Sequence, residues 1–161
     1  MPMNIYTATM DDSAALVAMA LTFRNHLERD TPTQVQFEQS IAVLLNSPDA
    51  RFLIAANDEG PMGYVLLRFR YSMWVGGAEA TIEDLFVDPS RRKNGVGRAL
   101  IQAALQAATA QGCLSVCLDT NEFNVASNAI YTQLGFNAVS KRWNGRQIFY
   151  RKPLTPTAVA I

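Results

Sequence analysis

Ser90-Arg91-Arg92-Lys93-Asn94-Gly95-Val96-Gly97-Arg98 gathers four basic side chains and two glycines into nine residues, a composition suited to holding an anion. The run Ile82-Glu83-Asp84-Leu85-Phe86-Val87 before it reads as a strand that stops at Asp88-Pro89, and residues 96–110 after it read as a helix. The turn's N–H groups would then converge at a helix N-terminus, where unsatisfied donors and the positive end of the helix dipole both favour phosphate. Gly95 and Gly97 lack a Cβ and let a ligand approach the backbone, while Arg91, Arg92, Lys93 and Arg98 supply charge. The expected ligand is a phosphate or pyrophosphate, and a solvated basic loop is the alternative. The stretch has neither the Gly-Lys-Ser/Thr of a P-loop nor the G-x-G-x-x-G of a dinucleotide fold.

Other reactive side chains are few. Cys113 and Cys117 lie four residues apart in a short apolar strand pattern, on one face but too far apart along it for a disulfide. They read as core residues. A catalytic thiol would want a base beside it, and the single histidine, His26, lies on a distant predicted helix. No metal site is expected.

The elements that must position the basic turn follow from periodicity. Residues 3–8 read as a strand, and Asp11 or Asp12 can cap a helix carrying Leu16, Met19, Ala20, Phe23 and Leu27 at helical spacing. A second helix over 34–45 buries Phe37, Ile41, Leu44 and Leu45. Residues 51–57 and 62–73 form strands of a hairpin turning at Asp58-Glu59-Gly60-Pro61, and residues 79–87 form the strand that enters the basic turn. After the third helix, with its stripe Val96, Leu100, Ala104 and Ala107, come a strand over 114–119 and a helix over 125–134. Asn124 can cap that helix, and Gly135 closes it. Two last strands, 136–142 and 147–152, flank Asn144-Gly145. The order β-α-α-β-β-β-α-β-α-β-β predicts an α+β domain with a mixed sheet whose one helix-linked parallel crossover passes through the phosphate turn.

A chain of 161 residues, 49% apolar and 17% charged, suits one globular domain, over 1–152, followed by a tail, 153–161. Acidic and basic residues balance at 14 each, so general attraction to nucleic acid or an anionic membrane is not expected. The sequence has no apolar run long enough to span a bilayer and no signal-like N-terminus, and a cytoplasmic enzyme is the expectation.

Arg92-Lys93-Asn94-Gly95-Val96-Gly97 matches R/Q-x-x-G-x-G/A, the pyrophosphate-gripping signature of GNAT-superfamily N-acetyltransferases. Residues 124–136, from Asn124 through Tyr131 to Gly135-Phe136, resemble that family's second motif, N-x-x-A-x-x-x-Y-x-x-x-G-F, with Ser127 where alanine is commoner. The resemblance covers residues 3–152 and implies a GNAT fold that uses acetyl-CoA. It also implies that the backbone of Leu85, Phe86 and Val87 pairs with the pantetheine arm and that N–H groups from Lys93 through Asn94, Gly95, Val96 and Gly97 to Arg98 hold the pyrophosphate, with Arg92 opening the loop. Asn124 would contact the cofactor near the pantetheine or the thioester, and Tyr131 would lie beside the sulfur.

The chemistry so implied is direct acetyl transfer to a primary amine in a ternary complex, a strand N–H near Phe86 or Val87 polarising the thioester carbonyl. Tyr131 would return a proton to the thiolate, or else simply pack its helix. The acceptor amine must lose a proton before it attacks, and Glu83 and Asp84 are the candidate bases. Strand neighbours point to opposite faces, so only one is expected to reach the cleft. Glu83 is favoured because 82–87 resembles the L-E-D-x-x-V strand of diamine and polyamine acetyltransferases, as does the loop Tyr71-Ser72-Met73-Trp74-Val75-Gly76. Either carboxylate could instead merely accept a hydrogen bond. Glu28, Asp30 and Glu38 would suit a diamine or polyamine, whereas Arg24, Arg29, Arg68 and Arg70 would suit an amino-acid-like acceptor. A protein N-terminus or lysine, or a non-catalytic CoA-binding role, are the alternatives, and family analogy suggests a homodimer.

Overall fold

The computed structural model describes residues 2–156, which fall into two compact units dividing between Thr120 and Asn121. The first unit holds β1 (Asn4–Thr7), α1 (Ser13–His26), α2 (Gln34–Leu45), β2 (Ala50–Asn57), β3 (Gly60–Ser72), β4 (Gly77–Val87), α3 (Val96–Ala110) and β5 (Ser115–Leu118). These strands make a five-stranded sheet in the order β1-β2-β3-β4-β5. Every pairing is antiparallel except β4 with β5. That parallel step is the predicted crossover through α3.

The sheet is covered on both faces, and alternation along its strands sorts the core. Phe52, Ile54, Tyr64, Leu66 and Phe86 join Leu16, Val17, Met19 and Ala20 of α1 and Ile41 of α2 in one buried cluster. The intervening Leu53, Val65 and Leu67 are also buried, and α3 packs against β2, β3 and β4. Its buried stripe is Val96, Leu100, Ile101, Ala104 and Ala108, so Ile101 and Ala108 join the predicted positions and Ala107 is only half-buried. At Gly63 a Cβ would stand 2.4 Å from the Phe86 carbonyl oxygen, so only glycine allows β3 and β4 to approach there.

Several boundaries differ from the sequence expectation for identifiable reasons. Neither Asp11 nor Asp12 caps α1 with its side chain. Instead Thr9 and Asp12 form a capping box around a 3-10 turn, Met10–Asp12, and the Asp12 carboxylate also takes the Tyr6 hydroxyl at 3.1 Å. Helix α2 has the predicted bounds, and a Thr33–Gln36 capping box starts it. The β2–β3 turn is shorter than expected, because Gly60 and Pro61 already pair with Asn57 and Ala56.

The second unit holds α4 (Val125–Gln133), β6 (Val139–Ser140) and β7 (Gly145–Arg146). Asn124 stands at the N-cap position, but its side chain makes no capping bond. Gly135, at φ +89°, is the left-handed residue that ends α4. The last two strands are far shorter than predicted. A four-residue turn replaces the two-residue one at Asn144-Gly145, with the Asn144 N–H donating to the Ser140 carbonyl at 2.8 Å. Pairing is limited to Val139 with Arg146 and Ser140 with Gly145, and residues 147–156 have no regular structure. Residues 157–161 of the predicted tail lie outside the described residues.

Candidate active site

Strand β4 carries an irregularity that the sequence does not announce. Leu66 of β3 stands opposite Asp84, but Leu67 stands opposite Ile82, so Glu83 is an extra residue and β4 is bulged there. A bulge sets two residues against one and interrupts alternation. Tyr64, Leu66 and Arg68 share a face of β3. The Tyr64 hydroxyl donates to Asp84 Oδ2 at 2.5 Å, and Arg68 Nη1 meets Glu83 Oε2 at 3.2 Å. Both carboxylates thus reach side chains on the same face of β3, where strict alternation would send them to opposite faces, and only Asp84 lines a cavity.

Their surroundings differ sharply. The Glu83 side chain is 49% exposed and ion-paired. Asp84 and Tyr64 instead belong to the wall of a cavity of about 150 Å³, with Phe23 and Leu27 from the α1 side and Pro32 and Phe37 from the α2 side. Burial holds the Asp84 carboxyl above the usual carboxylate range. Hydrogen bonds from the Tyr64 hydroxyl and the Leu85 N–H pull it partly back, and the Glu83 charge raises it further. Tyr64 is itself 3% exposed, lying edge-on to Phe52 and tilted against Phe86 at centroid distances of 5.9 and 5.8 Å. Burial and the adjacent carboxylate keep its phenol protonated well above its ordinary range.

Tyr64 was not among the residues singled out by motif. Its one sequence signal is a lone hydroxyl inside the apolar run 62–67, since a buried tyrosine needs a polar partner. The helix carboxylates Glu28, Asp30 and Glu38 are all exposed, and none of them lines this cavity. Of the arginines, Arg68 and Arg70 are occupied by Glu83 and Glu79, whereas Arg24 and Arg29 do line it.

The other end of β4 is built from backbone. Its ladder with β5 ends at Ile82–Leu118, while pairing with β3 continues to Val87. The Asp88 N–H donates to the Met62 carbonyl at 2.9 Å. Antiparallel alternation therefore turns the Phe86 N–H toward β3 as well and directs those of Leu85 and Val87 to the opposite edge. The Phe86 ring stacks on Phe23 at 5.5 Å, so its side chain serves the core.

Beyond Val87, a 3-10 turn, Pro89–Arg91, is held by Asp88, whose side chain accepts from both the N–H and the hydroxyl of Ser90. Those bonds hold the Asp88 carboxyl below its ordinary value. Lys93 and Gly95 then adopt left-handed φ of +68° and +76°, a backbone that gathers N–H groups into a concavity. Helix α3 begins at Val96 with Gly95 as its N-cap and no side-chain cap, leaving its first donors for a ligand. Arg92 reaches back, its Nε donating to the Val87 carbonyl at 3.4 Å, whereas Arg91 pairs with Glu59. An anion cradle and an unpaired strand edge fit the two ends of a pyrophosphate-bearing, amide-containing chain.

Residues 18–136 match the acetyltransferase (GNAT) family model. The chain belongs to the GNAT acetyltransferase family. It is similar to an aminoglycoside N(6')-acetyltransferase type 1 of Stenotrophomonas maltophilia, with 31% identity over 96% of each chain. It also resembles the ribosomal protein bS18 alanine N-acetyltransferase of Escherichia coli K12, at 35% identity over 41% of this chain and 45% of that one. Among solved structures, an aminoglycoside N-acetyltransferase in complex with CoA shares the fold with a TM-score of 0.76, 23% identity and coverage of 95% of this chain and 96% of that one. This GNAT chain is accordingly an acetyl-CoA-dependent N-acetyltransferase. Among the described residues no helix is long and apolar enough to cross a membrane, and no cluster of metal-ligating side chains occurs.

In the second unit, Tyr131 on α4 is 9% exposed, with its ring edge-on to Phe136 at 5.8 Å. The Phe136 N–H donates to the Tyr131 carbonyl at 2.9 Å. In the first unit, Cys113 and Cys117 are free and half-buried, Cys117 Sγ lying 3.3 Å from Thr81 Oγ1.

Proposed function

We propose that this enzyme acetylates the primary amine of a small molecule and that Asp84 is the group that receives that amine. The observation carrying this reading is the Asp84 carboxylate in a largely apolar cavity, fixed through one oxygen by Tyr64. A carboxylate there attracts an ammonium group. Its raised proton affinity also suits it to take the proton that must leave before nitrogen can attack. Glu83, exposed and tied to Arg68, has the weaker claim, and its part is to adjust the charge beside Asp84.

Acetyl-CoA supplies the acetyl group as an activated thioester. On the donor side, the N–H groups of Lys93, Asn94, Gly95, Val96, Gly97 and Arg98 hold the pyrophosphate, assisted by Arg92. The stretch Leu85-Phe86-Val87 aligns the pantetheine arm chiefly through the outward N–H of Val87, with Asn124 as a further contact. The Val87 N–H is the better donor toward the thioester carbonyl, because that of Phe86 is turned to β3. Tyr131 is assigned the proton that the departing thiolate takes up. Positioning and oriented donors then supply most of the acceleration, without a covalent enzyme intermediate.

The test is thiol release from acetyl-CoA across a panel of primary amines, with acetyl-CoA binding measured separately. The wild-type chain turns over at least one amine, and Asp84→Asn binds acetyl-CoA as before but loses turnover. Tight acetyl-CoA binding with no turnover of any amine would instead indicate a CoA-binding module.

A further inference from the structure

The walls of the Asp84 cavity carry information about the acceptor that the donor side lacks. Ala20, Phe23, Leu27, Pro32, Phe37 and the Tyr64 ring make it mainly apolar. Its volume of about 150 Å³ matches a cavity of about 150 Å³ that takes one benzene-sized group. Asp84 is the one carboxylate in this wall, and the other two charged groups are the guanidiniums of Arg24 and Arg29.

Arg24 is held by neutral partners, with Nη1 on the Pro32 carbonyl at 2.9 Å and Nη2 on Asn25 Oδ1 at 2.9 Å. Arg29 has no ion pair among the described residues. It also lines an adjoining polar recess with Gln36, Gln39 and Ser40, where no carboxylate is found. One negative charge therefore lies among apolar walls, with two guanidiniums around it that make no ion pair among the described residues.

From this arrangement we infer that the acceptor is an amphipathic monoamine, an ammonium group on an apolar body of about benzene size, whose far end is neutral or anionic and never a second cation. The ammonium goes to Asp84 and the body lies against Phe23, Leu27 and Phe37, which gain by its burial. An anionic far end is drawn toward Arg29, while a second ammonium would approach two guanidiniums and is repelled. Diamines, polyamines and aminoglycosides, which carry several cations, are thereby disfavoured, although relatives of this chain act on aminoglycosides. The inference rests on Asp84 being the amine-receiving group.

Three acceptors with the same six-carbon chain isolate the effect: hexylamine, 6-aminohexanoate and 1,6-diaminohexane, with kanamycin as an aminoglycoside arm. Measured by thiol release with the full chain, kcat/KM for the first two exceeds that for the diamine by about tenfold or more. Arg29→Glu moves the ratio of diamine to 6-aminohexanoate toward the diamine by at least about tenfold, because one repulsion becomes an attraction. Preference of the wild-type chain for 1,6-diaminohexane or kanamycin, with turnover still lost in Asp84→Asn, overturns this inference and leaves the role of Asp84 intact. Unchanged turnover of hexylamine by Asp84→Asn, or no turnover of any amine, removes the role of Asp84 and the inference with it.

Discussion

The two ends of β4 do different kinds of work with different parts of the chain. From Val87 onward the groups offered to a ligand are main-chain: the outward N–H of Val87, beyond the end of the β5 ladder, left-handed Lys93 and Gly95 and the uncapped start of α3. At the bulge they are side chains, with Asp84 fixed by Tyr64 and Glu83 by Arg68. A donor used in every turnover can be held by backbone geometry, which most substitutions leave intact. The wall around Asp84, proposed to receive the amine, is built from side chains, and there each substitution changes the chemistry.

The contrast is tested most severely by Asp84→Asn, expected to lower kcat by about 10²–10⁴-fold, the usual contribution of a general base, with the acetyl-CoA dissociation constant unchanged. Asp84 must be ionised to accept a proton, so activity in the parent falls as pH drops through its raised value, above the ordinary carboxylate range. In the variant that acid limb disappears. Parental kcat and limb would shift the base elsewhere. Tyr131→Phe is expected to reduce kcat by about 10²-fold while binding acetyl-CoA normally, and parental turnover would reduce Tyr131 to packing.

On the backbone side, Gly95→Val asks a branched residue to hold φ +76°. There is open space around its Cβ, so the cost is conformational, about 1–2 kcal/mol. Calorimetry should find acetyl-CoA bound about tenfold more weakly, with kcat at saturation near parental. A fall in kcat without a change in affinity would break the division between the two ends.

The smallest effects sharpen it further, because they have opposite signs. Tyr64→Phe removes a hydrogen bond that lowers the Asp84 value, so the acid limb of kcat/KM moves to higher pH. Glu83→Gln removes a charge that raises it, so the limb moves to lower pH. Its rate changes by less than about threefold, since a half-exposed ion pair contributes little. Shifts in the same direction would mean that Asp84 is not the titrating group.

Where periodicity was strong, the elements followed the sequence closely. Helices α2 and α3 have the predicted bounds, and Gly135 closes α4 at the left-handed φ expected of a helix-ending glycine. These are local matters of helical spacing, capping chemistry and glycine's freedom at positive φ. Near the C-terminus the segments 136–142 and 147–152 on either side of Asn144-Gly145 read as strands, yet only Val139 with Arg146 and Ser140 with Gly145 pair. Strand propensity is realised only where a partner edge in register exists.

The amino-acid order alone pointed to the family and its acetyl-CoA donor, because the two motifs that carry the resemblance, 92–97 and 124–136, each lie within one short segment. By resemblance it favoured Glu83 over Asp84, and alternation along a single strand contains no record of the strand beside it that could test that choice. Register supplies the difference on which the proposal for Asp84 rests: β4 has one residue more than β3 between Ile82 and Asp84, so both carboxylates reach one face of β3 while only Asp84 enters the apolar wall built by α1, α2 and Tyr64.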